Sequence, residues 1–245
     1  MFEALTMAQR TAIVSVFYEY GLNGAPVFWR EAVEQNWNDV IAELEKMGDT
    51  TEAALLENDT GDLFVEGQSC ADPHLRTFDG MKYSYQGFCS YVLTQSVDNA
   101  DFPAFQVSAN FSGVRNPEKP ITRMVDISLL VEGVLVVKLY QDNTFEISGK
   151  RFAKTSRVIG DGNGDVYTDE MNVYVQVTKP KLLLTWCGRF HRLSIRLEDS
   201  RMLGNVAGLL GDANGVIENE LRKPDGTTTT DIVEFGDSWE IPGSC

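Results

Sequence analysis

The spacing of hydrophobic residues changes near residue 67. Before that point apolar residues recur at three- and four-residue steps, as at Ile13 and Val16, which is the spacing of one helix face. Thr6 followed by Gln9 forms a capping box ahead of this run. We therefore predict a small helical subdomain of four short helices over residues 1–62, with its apolar stripe as the core.

Beyond Cys70 the spacing becomes that of β-strands. Apolar and β-branched residues alternate or run together between turns rich in Gly, Asn, Asp and Pro. Seven segments show this pattern: AFQVSAN, TRMVDISLLVE, GVLVVKLYQD, TFEISG, NVYVQVT, KLLLTW and RFHRLSIRL. Successive strands without helices between them predict an antiparallel sandwich or open barrel over residues 70–245. With residues 63–69 as a linker, the expected fold class is α+β with two domains.

Composition and charge narrow the functional classes. An apolar fraction of 43% is enough for packed cores, and no apolar run approaches the length of a membrane span. The net charge is −15, and residues 1–67 alone hold 13 acidic against 3 basic residues. Such a surface argues against nucleic acids and anionic membranes as partners and is compatible with divalent cations. With two histidines in the chain, we expect neither a zinc site nor a Ser/His/Asp catalytic site.

The segment GLLGDANGVIENEL, residues 208–221, concentrates oxygen-bearing side chains. Asp212, Asn214, Asn219 and Glu220 fall within nine positions, among three glycines. Carboxylates this close repel one another unless a cation lies between them. The loop by itself fits either a calcium site or an ordinary turn rich in Asn, Asp and Gly.

Two motifs at opposite ends of the second segment carry a family resemblance. CADPHLRTFDGMKYSYQGFCSYVL, residues 70–93, resembles the opening of a von Willebrand factor type D domain, and GLLGDANGVIENEL with FGDSWEIPGSC resembles its close. The resemblance covers residues 70–245. It implies bound calcium, because in this family the closing loop folds around a calcium ion with help from the TFDG turn. The implied ligands are Asp79, Asp212, Asn214, the backbone carbonyl of Val216, Asn219 and Glu220.

The same resemblance bears on the four cysteines. It implies a disulfide between Cys89 and Cys245. The Cys-x-x-Cys that the family usually carries in the closing loop is replaced here by alanine and leucine at positions 207 and 210. Cys70 therefore lacks its usual partner, and a bridge between Cys70 and Cys187 is left open. Two disulfides would fit an oxidising compartment.

The segment DGNGDVYTDEMN, residues 161–172, is a second candidate calcium loop. Four of its residues follow EF-hand-like spacing: Asp161, Asn163, Asp165 and Asp169. However, Val166 stands where an EF-hand loop requires glycine, and Asn172 replaces the closing glutamate. Predicted strands rather than helices flank the segment. We therefore interpret it as a solvated hairpin turn.

The dipeptide Asp72–Pro73 raises the question of self-cleavage. Some mucin-type members of the family carry Gly-Asp-Pro-His and break at the Asp–Pro bond. Here Ala71 replaces the glycine of that motif. We therefore expect the bond to stay intact and His74 to serve in packing or hydrogen bonding.

The helical segment carries a resemblance of its own. LTMAQRTAIVSVFYEYG, FWREAVEQNWNDVIAELEKMGD and TEAALL, within residues 5–58, look like the C-terminal lobe of phage-lysozyme-like muramidases and pesticin-type toxin domains. Those enzymes cleave peptidoglycan with a glutamic acid on an N-terminal lobe, which would precede Met1. The segment is then either part of a longer secreted glycoside hydrolase or a lobe retained as a structural appendage.

These observations lead to one expected function and one alternative. We expect a non-catalytic, calcium-stabilised extracellular module with a structural or interaction role, whose partner is an extracellular protein or glycan. The alternative is a fragment of a lysozyme-like glycoside hydrolase that acts on peptidoglycan. The N-terminus lacks the basic-then-apolar layout of a signal peptide, so an extracellular placement implies further sequence upstream.

Overall fold

The structure is a computed structural model, and it describes residues 40, 65–70, 73–98, 100–114 and 121–245. The chain divides into two units, Met1–Leu63 and Phe64–Cys245, and the fold below is that of the second unit. The four helices expected over residues 1–62 lie outside the described residues, apart from Val40.

The described part of the second unit contains fifteen strands. In chain order they are β1 Val65–Cys70, β2 His74–Arg76, β3 Lys82–Ser84, β4 Ser90–Ser96, β5 Phe105–Val114, β6 Ile121–Val131, β7 Val134–Tyr140, β8 Phe145–Ile147, β9 Lys150–Phe152, β10 Arg157–Ile159, β11 Gly164–Thr168, β12 Val173–Thr178, β13 Lys181–Cys187, β14 Arg192–Leu197 and β15 Val206–Ala207.

The strands form two antiparallel sheets. The eight-stranded sheet has the order β10-β11-β12-β13-β14-β1-β2-β3, and the seven-stranded sheet has the order β15-β4-β5-β6-β7-β8-β9. Most neighbours in space are also neighbours in sequence, as in a meander. The main exceptions are β1, which pairs with β14, and β15, which pairs with β4. Each of these pairings joins an early strand to a late one.

Alternating burial explains why these segments are strands. In β12 the side chains of Val173, Val175 and Val177 are buried, while the residues between them are half-buried. This two-residue period turns one face of each sheet toward a shared hydrophobic core, which draws residues from both sheets. The indole Nε1 of Trp186 in β13 donates to the carbonyl oxygen of Tyr140 in β7 at 2.9 Å, a direct link between the sheets.

One α-helix, α1, occurs in the described residues, at Ile232–Ser238. It begins where the side chain of Asp231 accepts hydrogen bonds from the backbone N–H groups of Val233 and Glu234. Its Phe235 is buried and meets Tyr83 edge to face, with the ring centroids 5.8 Å apart. The described residues also contain four short 3-10 turns: Gly160–Gly162, Gly188–Phe190, Ser200–Met202 and Ile217–Asn219.

The α+β prediction is wrong for the structure as described. Among the described residues of the second unit, the regular secondary structure is almost entirely antiparallel strand, and α1 is the one short α-helix. The prediction rested on the helical spacing of apolar residues before residue 67. Of residues 1–62, the structure describes Val40 alone. The antiparallel β architecture expected after residue 70 is present. Strand β1 also takes up most of the segment 63–69 that was expected to be a linker, because its pairing with β14 draws it into the sheet.

Candidate metal site

The closing loop lies against the turn that follows β2. The backbone N–H of Phe78 donates to the carbonyl oxygen of Leu210 at 2.9 Å, and the hydroxyl of Tyr83 donates to the carbonyl oxygen of Leu209 at 2.5 Å. The loop is also tied to β4, where the N–H of Leu210 donates to Leu93 at 2.9 Å. These bonds bring residues that are far apart in sequence to one place.

Three carboxylates meet at this place. One oxygen each from Asp79, Asp212 and Glu220 lies within 4.8 Å of the others. The exposed fraction is 6% for Asp212 and 1% for Glu220, so water screens these two charges poorly. Three of the residues that the sequence implied as ligands are therefore gathered in one cluster.

Burial changes the acidity of the cluster. Desolvation raises the pKa of Glu220 to about 7, and the neighbouring charge of Asp79 adds to this effect. Desolvation also raises the pKa of Asp212, again with a contribution from Asp79. Without a bound cation, keeping these buried carboxylates ionised therefore costs free energy.

Asn214 connects two of the carboxylates. Its backbone N–H donates to Asp79 Oδ2 at 3.0 Å and to Asp212 Oδ1 at 3.3 Å, and its side-chain Nδ2 donates to Asp212 Oδ2 at 3.0 Å. Its own Oδ1 accepts from the N–H of Val216 at 2.7 Å. The loop therefore curls around Asp212, and Val216 lies just before the 3-10 turn that carries Asn219.

Two buried oxygens in the loop lack hydrogen-bond partners. Both Oε2 of Glu220 and Oδ1 of Asn219 are enclosed and accept no hydrogen bond. A buried acceptor without a partner costs about 1–3 kcal/mol, and such atoms are rare in native structures. A cation held by oxygen ligands would satisfy both atoms, so the donor set fits a hard metal ion.

The sequence motif alone did not show the features that shape this site. Gly211 has a φ of +82°, and a Cβ at that position would overlap the Glu220 carboxylate. Ala213 adopts a φ of +58°, which is uncommon for a residue with a side chain. Arg222 places Nη1 4.0 Å from Asp212 Oδ2. In the sequence, the position of Arg222 two residues after Glu220 could have indicated a cation close to the carboxylates.

The second acidic loop is not assembled into a comparable cluster. Asp165 belongs to β11, and Asn163 accepts at its carbonyl from the N–H of Thr178 at 2.9 Å. Asp169 accepts from two backbone N–H groups and from the hydroxyl of Tyr174, and these bonds lower its pKa to about 2. The side chain of Asp161 lies outside the described residues. Asp169 thus has several protein partners in the turn between β11 and β12, and β11 rather than a turn occupies the middle of the segment.

The cysteines form one bridge in the described chain. Cys89 and Cys245 are joined in a disulfide with a Cα–Cα distance of 4.8 Å. Cys70 and Cys187 are free thiols, so the bridge that was left open between them does not form. Their strands, β1 and β13, lie on either side of β14. That arrangement separates the two strands by about 9–10 Å, whereas a disulfide requires Cα atoms within about 7 Å.

The Asp–Pro dipeptide and the two histidines have structural surroundings. Asp72 lies outside the described residues, whereas Pro73 is buried and accepts at its carbonyl from a backbone N–H at 3.1 Å. His74 Nδ1 lies 2.7 Å from Ser84 Oγ, which agrees with the expected hydrogen-bonding role. His191 Nδ1 lies 3.0 Å from the carbonyl oxygen of Met124.

The fold and the site together define a class of protein: a two-sheet antiparallel β domain, closed by an acidic, glycine-punctuated loop and tied at its C-terminus by a disulfide. The family model of the von Willebrand factor type D domain matches residues 69–227, so the chain belongs to that family. The match confirms the resemblance stated for the second segment. It includes Asp79 and every implied ligand of the closing loop.

Curated proteins with similar sequences cover the same region. The chain is 27% identical over 182 residues to the human IgGFc-binding protein, 26% identical over 182 residues to human alpha-tectorin, and 27% identical over 177 residues to human mucin-5B. These alignments take in 69%, 72% and 71% of this chain, but 3%, 8% and 3% of the respective relatives. The chain therefore corresponds to a small part of each relative.

Among the described residues, no helix combines the length and the apolar character that crossing a bilayer requires.

Proposed function

We propose that this chain is a calcium-stabilised, non-catalytic interaction module that works outside the cell. The observation that carries the proposal is the buried carboxylate of Glu220, which has an oxygen without a partner and lies beside two further carboxylates. Such an arrangement is costly in isolation, and a bound cation would offset that cost.

The donor set favours calcium over other biological metals. Carboxylates, a side-chain amide and a backbone carbonyl are oxygen ligands, and calcium accepts six to eight of them without strict geometry. The residues that would hold it are Asp79, Asp212, Asn214, Val216 through its carbonyl, Asn219 and Glu220. Calcium, when bound, would neutralise the clustered carboxylates. The glycine at position 211 leaves room for the Glu220 carboxylate beside the loop backbone.

Two further observations support an extracellular placement. The Cys89–Cys245 disulfide suits an oxidising compartment. The relatives are secreted or extracellular proteins. Because the chain spans so little of their length, the partner that it binds is proposed only by class, as an extracellular protein or glycan.

Isothermal titration of the metal-free full chain tests the calcium site. We expect one calcium ion to bind with a dissociation constant of about 10⁻⁴–10⁻³ M or tighter, the range of extracellular modules and stronger sites. Asp212→Asn should weaken binding at least about tenfold, because it removes a charged ligand. The matched control is Asp225→Asn, which changes an exposed carboxylate bonded to Thr227. No binding heat at millimolar calcium would contradict the proposal, as would equal weakening by both substitutions.

The lysozyme-like resemblance adds no function here. It concerns residues 5–58, which lie outside the described residues apart from Val40, and the family match begins at residue 69.

A further inference from the structure

One short segment of this acidic chain is strongly basic. Residues 148–160 contain no aspartate or glutamate, although the chain has 36 acidic against 21 basic residues. Within the segment four cations fall in eight positions: Lys150, Arg151, Lys154 and Arg157. All four side chains are exposed. We call these four residues the basic edge.

The fold places the basic edge at one side of the sandwich. Strand β9 is the last strand of the seven-stranded sheet, and β10 is the first of the eight-stranded sheet. The link between them crosses from one sheet to the other, and Lys154 lies in that link. The cations therefore line the place where the chain passes between two free sheet edges.

Aromatic rings hold the cations in position. The ammonium of Lys150 lies 5.6 Å from the ring centroid of Phe152, and the guanidinium of Arg157 lies 4.7 Å from the same centroid. Both charged groups therefore lie close to the ring of Phe152. Phe152 is itself stacked on Phe145, with the ring centroids 5.6 Å apart. The ring that the two cations contact therefore packs against the hydrophobic core.

Three of the four cations have no ion-pair partner among the described side chains. Arg151 is occupied, because its Nη2 donates to both carboxylate oxygens of Asp142 at 3.0 Å while its guanidinium lies over the ring of Tyr140. Lys150, Lys154 and Arg157 form no ion pair within the described part of the chain. Arg157 donates through Nη1 to Thr155 Oγ1 and to a backbone carbonyl, and these are its hydrogen bonds among the described residues.

Protection of the sheet edges does not account for this pattern. Charged side chains on edge strands, lysine above all, prevent pairing with other sheets, but Lys154 lies in the link between β9 and β10 rather than on an edge strand. A chain with a net charge of −15 would more readily supply acids there. Four cations with no intervening acid instead match an anionic ligand. The negative charge elsewhere is screened beyond about 8 Å at physiological salt, so the local positive charge governs contact.

We propose that the basic edge binds a sulfated glycan chain. The choice of a glycan rests on the proposed extracellular function, because sulfated polysaccharides are the extracellular polymers with closely spaced strong anions. Sulfate oxygens accept hydrogen bonds from guanidinium and ammonium groups over a wide pH range. A linear polymer can engage the lysines and the arginine at successive sulfates, as phosphates are engaged along nucleic acids.

Heparin binding by the full chain tests the proposal, with heparin as the probe at 150 mM sodium chloride. We expect the logarithm of the affinity to fall with the logarithm of the salt concentration with a slope of about −2 to −3, as for three ionic contacts. The triple variant Lys150→Gln, Lys154→Gln, Arg157→Gln should bind at least about tenfold more weakly. The matched control Arg76→Gln, Lys82→Gln, Arg192→Gln removes three exposed cations elsewhere and should bind as the parent does. Melting curves of both variants confirm that they fold.

Several outcomes would overturn the proposal. These are no heparin binding by the parent, equal losses in the two triple variants, or binding of polyglutamate or unsulfated hyaluronan as tight as that of heparin. Measuring heparin binding with calcium and with a chelator keeps this question separate from the calcium site. A chain that binds calcium but not heparin would leave the proposed function standing and remove this extension of it.

Discussion

At the scale of single residues, the behaviour of the closing loop depends on Glu220. Its side chain is 1% exposed, one of its oxygens has no partner, and its neighbours Asp79 and Asp212 carry like charge. The free energy of this arrangement depends on whether a cation or a proton compensates the carboxylate. Removing the charge of Glu220 and changing the pH should each shift this free energy.

The substitution Glu220→Gln keeps the shape of the side chain and removes its charge. In chelator and at a pH above the raised pKa of Glu220, the variant should be more stable than the parent by about 1–2 kcal/mol, because a buried charge is replaced by an amide. In saturating calcium it should be less stable than the parent, because a ligand charge is lost. Chemical denaturation in both conditions measures the two differences. The control is Glu218→Gln, an exposed neighbour in the same loop, and an identical response of the two variants would contradict the role assigned to Glu220.

The effect of pH concerns the chain in the absence of calcium. The pKa of Glu220 is raised from 4.5 to about 7, so between these values the folded chain keeps a proton that the unfolded chain has released. This contribution to stability is fully present below pH 4.5 and is lost as pH rises through 7. In chelator, the melting temperature of the parent should therefore fall relative to that of Glu220→Gln between pH 5 and pH 8. Parallel melting profiles for the two proteins would count against the buried, protonated carboxylate.

At the scale of secondary-structure elements, the disulfide connects the C-terminal segment to the start of β4. Cys89 and Cys245 are 156 positions apart, and the backbone N–H of Ile241 donates to Ser90 at 2.8 Å beside the bridge. The bridge therefore holds the segment that follows α1 against the seven-stranded sheet.

Removal of this bridge should be costly. In the chain-entropy model, a loop of this length contributes about 5 kcal/mol to the free energy of unfolding. We expect the double variant Cys89→Ser, Cys245→Ser to lose between about 2 and 5 kcal/mol in urea denaturation. Cys70→Ser is the control, because Cys70 is an exposed free thiol. A double variant as stable as the control would show that the bridge does not restrain the chain.

The sequence predicted most of the strands with a clear two-residue period but missed β1 and β4. All seven segments with a clear two-residue period became strands, because each buries one face in the shared core. The three-residue strands β2, β3 and β10 are too short to show any period, and their pairing comes from neighbouring strands. Helix α1 was also missed, although Asp231 followed by Glu234 is an N-terminal capping pattern.

The site was predictable in part. The run from Asp212 to Glu220 is visible as a local concentration of oxygen ligands, but Asp79 lies more than a hundred residues earlier, and only the family resemblance joined it to the loop. Burial of Glu220 and the contact of Arg222 with Asp212 depend on tertiary packing, which no local pattern encodes. The Cys70–Cys187 bridge was left open because the sequence does not reveal that β14 separates their strands.

At the scale of the whole molecule, the acidic cluster joins elements that belong to different sheets. Asp79 follows β2 of the eight-stranded sheet, whereas the closing loop follows β15 of the seven-stranded sheet. The hydrogen bond from Asn214 to Asp79 crosses between these elements. A cation at this place would therefore stabilise the sandwich as a unit rather than one loop.

Scanning calorimetry of the full chain with calcium and with a chelator tests this central claim most directly. At 10 mM calcium and a dissociation constant of about 10⁻⁴ M, binding contributes about 2.7 kcal/mol, which should raise the melting temperature of the β domain by about 5–10 °C. Magnesium at the same concentration should give a smaller rise, because it demands octahedral geometry and holds its water. An identical melting temperature in calcium and in chelator would contradict the account.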